Sequence, residues 1–183
     1  MKKIFTNIPH AVKEIARILH IEGFKCFLVG GAVRDSIMGI TPHEYDITTD
    51  AKPEDVQRMF KYTVPTGIKH GTVLVIIEDM HVEITTFRSD GNYSDGRHPD
   101  KVEYASSIEE DLPRRDLTIN AMAYNVLDGT LIDMFDGMKD IKRKVVRSVG
   151  NPYERFSEDG LRIMRAIRFA TKLNFDIEKE TFE

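Results

Sequence analysis

The apolar positions along the chain change period several times, and each change marks an element. Residues 8–22 carry Ala11, Ile15, Ile18 and Leu19 at the three- and four-residue spacing of a helix face. In "KCFLVGG" the apolar residues run without interruption to Gly30–Gly31, which predicts a short buried strand. "AVRDSIMG" reads as a short helix stopped by Gly39, "EYDITT" as a second strand, and "KPEDVQRMF" as a helix with Pro53 near its start, where a missing N–H costs nothing. "TVLVIIED" and "HVEITTFR" are two strands joined by a tight turn at Asp79–Met80. "SDGNYSDGRHPDK", with two Asp-Gly pairs and a proline, is a loop.

Further on, "IEEDLPRRDLTINAMAYNV" reads as a helical segment broken at Pro113, and "GTLIDMF" as a hairpin-like strand. "GMKDIKRKVVRSVG" is a connector with a short helix or strand. "SEDGLRIMRAIRFATKL" is a strongly amphipathic helix with Ser157 as its N-cap. There are no repeats and no low-complexity segments. The expected fold is α+β: a small mixed sheet with flanking helices over residues 1–140, then the start of an all-helical part over 141–183. The last residues, "DIEKETFE", run into the start of another helix. Little follows to cover Leu161, Met164 and Ile167 on the preceding amphipathic helix. The expectation is a fragment of a longer protein, with dimerisation or partial disorder of that face in isolation.

Composition narrows the class. With 41% apolar and 31% charged residues among 183, the chain suits a folded soluble domain and not a disordered one. A single cysteine, Cys26, excludes a disulfide framework, implies a reducing compartment and is most simply a small core residue. No apolar stretch approaches the roughly 20 residues that span a bilayer. Charges interrupt the N-terminal "MKKIFTNIPHAVKEIARIL", which reads as an amphipathic helix and not a signal peptide, so a cytoplasmic location is expected and no membrane partner. The net charge of −4 argues against a generally basic nucleic-acid binder. From Lys139 to Arg168, however, nine Lys or Arg stand against four acids. Such a patch suits a polyanionic partner, or equally a solvated helix face.

The candidate chemistry begins with Glu44 and Asp46. Two residues apart on a strand, their carboxylates share a face and repel unless a cation lies between them; Mg²⁺ binds through one or two carboxylates plus substrate phosphates. The plain alternative is an exposed strand edge. Gly30–Gly31, between an apolar strand and a helix, can bring backbone N–H groups to phosphate oxygens, or can simply be a tight turn. Arg34 lies one turn into that helix, within reach of a phosphate. Glu83 is the candidate third carboxylate for a two-metal arrangement, or a solvent-facing strand residue. Arg114 and Arg115 suit triphosphate oxygens, and Asp116 a ribose hydroxyl or the orientation of an arginine; the alternative is a salt-bridged helix start. Asp159, Arg162, Arg165 and Arg168 recur every three residues. Asp159 with Arg162 can read a base edge, a carboxylate accepting and a guanidinium donating, or can form an ordinary i,i+3 ion pair.

In order and at sensible spacing over about residues 24–177, "LVGGAVRD", "EYDITTDA", "VEITTFR", "GRHPDKVEY", "EEDLPRRDLTINAMAYN", "DMFDGMKDI" and "VGNPYERFSEDGLRIMRAIRFATKLNF" resemble the motifs of bacterial class II tRNA nucleotidyltransferases, the CCA-adding enzymes grouped with bacterial poly(A) polymerases. The resemblance implies a polymerase-β-like nucleotidyltransferase head followed by the first part of a helical neck. It implies an enzyme that uses Mg²⁺, CTP and ATP to extend the tRNA 3′ end, releasing pyrophosphate. Within the family, poly(A) addition and CC- or A-addition stay open, as does a catalytically impaired binding fragment. Carried over, Glu44, Asp46 and Glu83 would hold metal. Gly31, Arg34 and Arg115 would contact the nucleotide, and Asp116 the ribose. Asp159 and Arg162 would serve as the base template, with Arg165 and Arg168 as further nucleotide contacts. One departure stands out: the family pattern is Asp-x-Asp, and this chain has Glu44-Tyr45-Asp46. Three readings remain open: Glu44 folds back and binds metal, it binds weakly and slows the chemistry, or it was introduced to weaken turnover.

Overall fold

A computed structural model describes residues 5, 7–91 and 102–183. The first apolar stripe forms α1 (His10–Ile21), which buries Ala11, Val12, Ile15, Ala16 and Leu19. β1 (Cys26–Val29) is buried at all four positions and turns at Gly30 into α2 (Gly31–Ile37). β2 (Tyr45–Thr49) leads to α3 (Pro53–Met59), with Pro53 in its first turn as expected. Then come β3 (Thr63–Gly67), β4 (Thr72–Ile77), β5 (Met80–Thr86), β6 (Arg88–Asp90), β7 (Val102–Tyr104) and α4 (Ile108–Asp111). Two 3₁₀ turns, Leu112–Arg114 and Thr118–Asn120, precede β8 (Met122–Tyr124), β9 (Leu131–Asp133), α5 (Gly137–Arg143) and β10 (Val145–Val146). The chain closes with α6 (Pro152–Glu158), α7 (Leu161–Leu173), β11 (Asp176–Ile177) and α8 (Lys179–Phe182).

Seven strands form one mixed sheet in the order β3-β4-β5-β2-β1-β8-β9. Only the β2–β5 pair in it is parallel; Asp46 is in register with Glu83 there and with Val29 on β1. β5 alternates as its sequence predicts, Val82 and Ile84 buried, His81 and Glu83 exposed. The mixed α+β architecture matches the expectation, but residues 141–183 are not all helical, because β10 pairs in parallel with β11 across α6 and α7. Cys26 is a core residue whose thiol burial, helped by the charge of Asp50, pushes up to about 12. No helix among the described residues is long and apolar enough to cross a membrane.

Several local expectations are corrected. The turn between β4 and β5 sits at Glu78–Asp79, one residue earlier than read. Both adopt left-handed φ (49° and 61°), which matches the right-handed twist of a two-residue hairpin. β3 is an edge strand that the sequence hid, because Pro65 and a mostly exposed pattern obscure it; at an edge the missing N–H is tolerated. "MAY" is strand, not the tail of a helix. Met122 and Ala123 are buried between strands β1 and β9, and periodicity cannot separate a short buried strand from a helix. Ser157 is not an N-cap but lies inside α6, whose cap is Asn151, accepting from the N–H groups of Tyr153 and Glu154. The predicted single helix breaks at Asp159–Gly160. Asp159 is extended (φ −148°, ψ 107°), and its carboxylate accepts from Leu161 N–H at 2.9 Å. Most of the loop read over residues 89–101 lies outside the described residues.

The main core packs α1 and α3 against the sheet, while a separate cluster of Leu117, Ile119, Val146, Ala166, Phe169 and Phe175 ties α7 to the segment after α4. α7 leaves Leu161, Met164 and Ile167 exposed, as its sequence suggests, together with Ile163. Where α5 meets the Thr118–Asn120 turn there is no room for a side chain at Gly137. A Cβ would lie 2.4 Å from the Thr118 carbonyl oxygen and 3.0 Å from Met122 Sδ. Gly137→Ala should therefore destabilise the protein by about 2 kcal/mol through overpacking against backbone. In a thermal melt this appears as a Tm lower by roughly 4–8 °C; an unchanged Tm would mean that α5 has slack to move.

Candidate active site

A cleft of about 830 Å³ opens between the start of α2, the start of β2, the 3₁₀ segment after α4 and one side of α7. Gly30, at φ 67° and ψ −135°, occupies a conformation reserved for glycine. A Cβ there would stand 3.8 Å from Asp46 Oδ2 and 3.9 Å from Arg115 Nη1. Bare backbone, a carboxylate and a guanidinium thus converge at one point, from β1, β2 and the "RRD" segment. Gly31 follows, packed against Arg34 Nη2.

Glu44, just before β2, and Asp46 within it both line the cleft. Glu83 is exposed beside Asp46 on β5 but is outside the cleft lining. Among the described residues no three acid, histidine or cysteine side chains are already drawn into a metal cage. The electrostatics nonetheless favour a cation. Desolvation first, and then the neighbouring Glu83, raise the Asp46 carboxyl to about 6; Arg115 opposes this and Glu44 adds to it. Asp46 opens onto the cleft, so solvent screens part of this shift. Hard oxygen donors that repel one another are a donor set that fits a divalent cation.

The opposite charge is organised by a residue that the sequence reading passed over. Asp111 is fully buried, and its Oδ1 accepts from Arg114 Nε at 3.0 Å and Nη2 at 2.9 Å, while Oδ2 accepts from Arg115 Nη2 at 3.0 Å. The Arg88 N–H also donates to Oδ1, at 3.2 Å. Burial alone would raise the Asp111 pKa, but Arg114 and Arg115 outweigh it and the carboxyl lies below its ordinary range. Burial likewise pulls the Arg115 guanidinium down, against Asp111. The signal was present: in "DLPRRD" the first acid stands three and four residues ahead of the two arginines.

The remaining candidates also line the cleft. Asp116 is buried and accepts from Arg165 Nε at 2.5 Å, so it orients an arginine, one of the two roles foreseen for it. Arg162 is buried too, donating to Glu158 and to the carbonyls of Arg155 and Arg114. Arg34 is 3% exposed. It is held by Asp35 and by Asn120, whose Oδ1 accepts from Nη1 at 2.6 Å. Because arginine only donates, this fixes the amide, and the buried Asn120 Nδ2 is left without a hydrogen-bond partner among the described residues. Arg165 and Arg168 are exposed on α7, as is expected of residues facing a cleft. Neither Asn120 nor Phe169, which also lines the cleft, was legible from periodicity. In the lining as a whole eight Arg or Lys stand against five acids, so a chain of net charge −4 presents a positive cleft suited to a polyanion.

Comparison with known proteins places this arrangement. Residues 26–147 match the family model described as the poly A polymerase head domain. Over 182 residues the chain is 50% identical to a CCA-adding enzyme of Ligilactobacillus salivarius, covering 98% of this chain and 45% of that protein. A Bacillus subtilis CCA-adding enzyme is also 50% identical, over 100% of this chain and 45% of its own length. The chain thus spans about 45% of the length of these curated relatives. Among solved structures, the Bacillus stearothermophilus CCA-adding enzyme in complex with CTP superposes with a TM-score of 0.85 at 41% identity, over 95% of this chain and 42% of that one. A tRNA nucleotidyltransferase complexed with a primer tRNA and an incoming ATP analog gives 0.73 at 35% identity, over 92% and 47%. With a family match that starts at β1, takes in the carboxylate strands and the "RRD" segment, and ends at β10, the chain belongs to the poly A polymerase head-domain family.

Proposed function

We propose that this chain is the nucleotide-adding part of a CCA-adding enzyme, transferring C and A from CTP and ATP to the tRNA 3′ end in the cytoplasm. The observation that carries the reading is one cleft lined by two unlike groups of residues. Gly30 backbone, Asp46 and Arg115 converge in one group, and Asp159 and Arg162 stand at the head of α7 in the other. Residues 1–140 act as the head and 141–183 as the start of a helical neck. The relatives solved with CTP and with a primer tRNA and an ATP analog support the choice of substrates.

In this reading Arg115, held in place by Asp111, and the Gly30–Gly31 backbone receive the triphosphate, with Arg34, Arg165 and Arg168 adding positive charge along the cleft. Asp116, which holds Arg165, is assigned to the ribose hydroxyl. Asp159 keeps one oxygen on the Leu161 N–H and offers its acceptor capacity to a base amino group, while Arg162 donates. The primer 3′-hydroxyl forms a bond to the α-phosphorus and pyrophosphate leaves, the nucleotide being held in line by these contacts. A divalent cation held by Glu44, Asp46 and Glu83, Mg²⁺ in this proposal, would lower the hydroxyl pKa and offset charge on the leaving group.

Three measurements test this. Incubation of tRNA lacking its 3′ end with labelled CTP or ATP and Mg²⁺ should show metal-dependent incorporation. Glu44→Asp should raise the rate by roughly 10- to 100-fold, because one methylene of misplacement at a reacting centre costs about that much. If only a form extended to the length of the relatives incorporates nucleotide, RNA grip and not Glu44 is the limitation. If neither form incorporates, the chain is a binding module.

Arg162→Ala should abolish discrimination of CTP from GTP more than it weakens triphosphate affinity. It should also lower Tm, since Glu158 and two carbonyls lose a donor, at about 1–3 kcal/mol. Incorporation of the two nucleotides in the wild-type ratio would remove Arg162 from base selection.

Asp46→Asn should eliminate incorporation and yet stabilise the metal-free protein. The folded carboxyl at about 6 exceeds the usual 3.8 of aspartate, so the wild type loses stability as pH rises through that interval. The variant cannot ionise there. In chelator at neutral pH its advantage should be under about 1 kcal/mol, because the group opens onto solvent. Thermal melts should show that advantage disappearing near about pH 4.

A further inference from the structure

We infer that Phe169 is a positioning residue for nucleotide binding: its ring is the common seat of three guanidinium groups, and through them it sets the α7 arginines against α2. The inference rests on the nucleotide reading of the cleft. The Cζ atoms of Arg34, Arg168 and Arg165 lie 4.8, 5.6 and 5.7 Å from the ring centroid. Three like charges gathered this closely repel; Asp35 and Asp116 answer two of them, and the negative face of the ring is shared by all three.

The three differ in what else holds them. The edge of Arg34 is taken by Asp35 and Asn120, which leaves its face for the ring. Arg165 has one other anchor, Asp116. Arg168 has no hydrogen-bond or ion-pair partner among the described residues, so the ring is its one described tether there. Phe169 itself is buried in the cluster with Leu117, Ile119, Val146, Ala166 and Phe175. A side chain needed only for that core is replaceable by leucine or methionine; a seat for guanidinium groups is not. The ring also joins parts distant in sequence, α2 and α7, within the cleft lining. The arginines proposed to meet phosphates are thereby held in place beside the Gly30–Asp46–Arg115 group.

Calorimetric titration of CTP with Mg²⁺ into the 183-residue chain tests the assignment. Phe169→Leu should weaken CTP binding by about 5- to 10-fold, the loss of two partly exposed cation–π contacts. Phe169→Tyr, which keeps a ring, should bind within about twofold of wild type. Arg168→Ala combined with Phe169→Leu should bind more tightly than the product of the two separate losses implies, because both changes break one contact. If circular dichroism shows Phe169→Leu unfolded, Phe169→Met, which conserves volume without a ring, takes its place with the same outcomes. Wild-type affinity in the leucine or methionine variant, with or without a lower Tm, would reduce Phe169 to a core residue and overturn the inference. Multiplicative losses in the double variant would do the same. A wild-type chain that binds no CTP overturns the nucleotide reading of the cleft, and this inference with it.

Discussion

A fully buried carboxylate cannot be left without counter-charge, and Asp111 meets that demand with two consecutive arginines. Removing one partner of such a group costs about 3–5 kcal/mol, so the pairing constrains everything attached to it. Arg115 is thereby held against Gly30 and Asp46. Arg114 is held in the 3₁₀ turn whose carbonyl receives Arg162 from α7. Two residues later Asp116 takes Arg165 from the same helix. A short polar segment therefore sets the distance between the carboxylate strand and the helix proposed to read the base. Its own geometry follows from the need to neutralise one buried charge.

The same accounting explains the divided character of the cleft. At Asp46, desolvation first and then the neighbouring acids Glu83 and Glu44 raise the carboxyl, an arrangement that is unfavourable until a cation arrives. On the cleft walls, guanidinium groups outnumber acids, an arrangement that is unfavourable until an anion arrives. A metal–triphosphate complex, as proposed for this cleft, would relieve both at once. Sites that bind such a ligand store repulsion of each sign in the empty protein, and the surrounding fold must be stable enough to hold it. Here the stabilising elements are a seven-stranded sheet with a continuous core and the apolar cluster that fastens α7 to the head.

Legibility in the sequence depended on the range of the interaction responsible. α1, α3 and the β4–β5 pair were readable because their burial patterns repeat within a few residues. Strand β8 was not, since its apolar run is equally good helix, and its choice was made by β1 and β9 on either side. The break between α6 and α7 was missed because the run around it is amphipathic throughout. What ends α6 there is an extended Asp159 whose carboxylate serves the next helix. Asp111 carried a local signal, its spacing to Arg114 and Arg115. Asn120 and Phe169 carried none, because their partners lie 86 residues away for Arg34 with Asn120 and on another element for Arg34 with Phe169.

From the sequence alone came the class of fold, the carboxylates of one strand face, the arginines at helical spacing and, through ordered motifs, the family. These are properties of residue type and short spacing, and they survive without coordinates. The tertiary structure decided which of those residues are free to act and which are already committed. Arg34 and Arg162, read as ligands, line the cleft already oriented by Asp35, Asn120 and Glu158. Asp111, unread, holds Arg114 and Arg115, and Phe169, unread, lies under three guanidinium groups. The reason is physical: a side chain's availability depends on its hydrogen-bond partners and its exposure. In this chain both are set by pairings between α2, the "RRD" segment and α7, which only folding brings together.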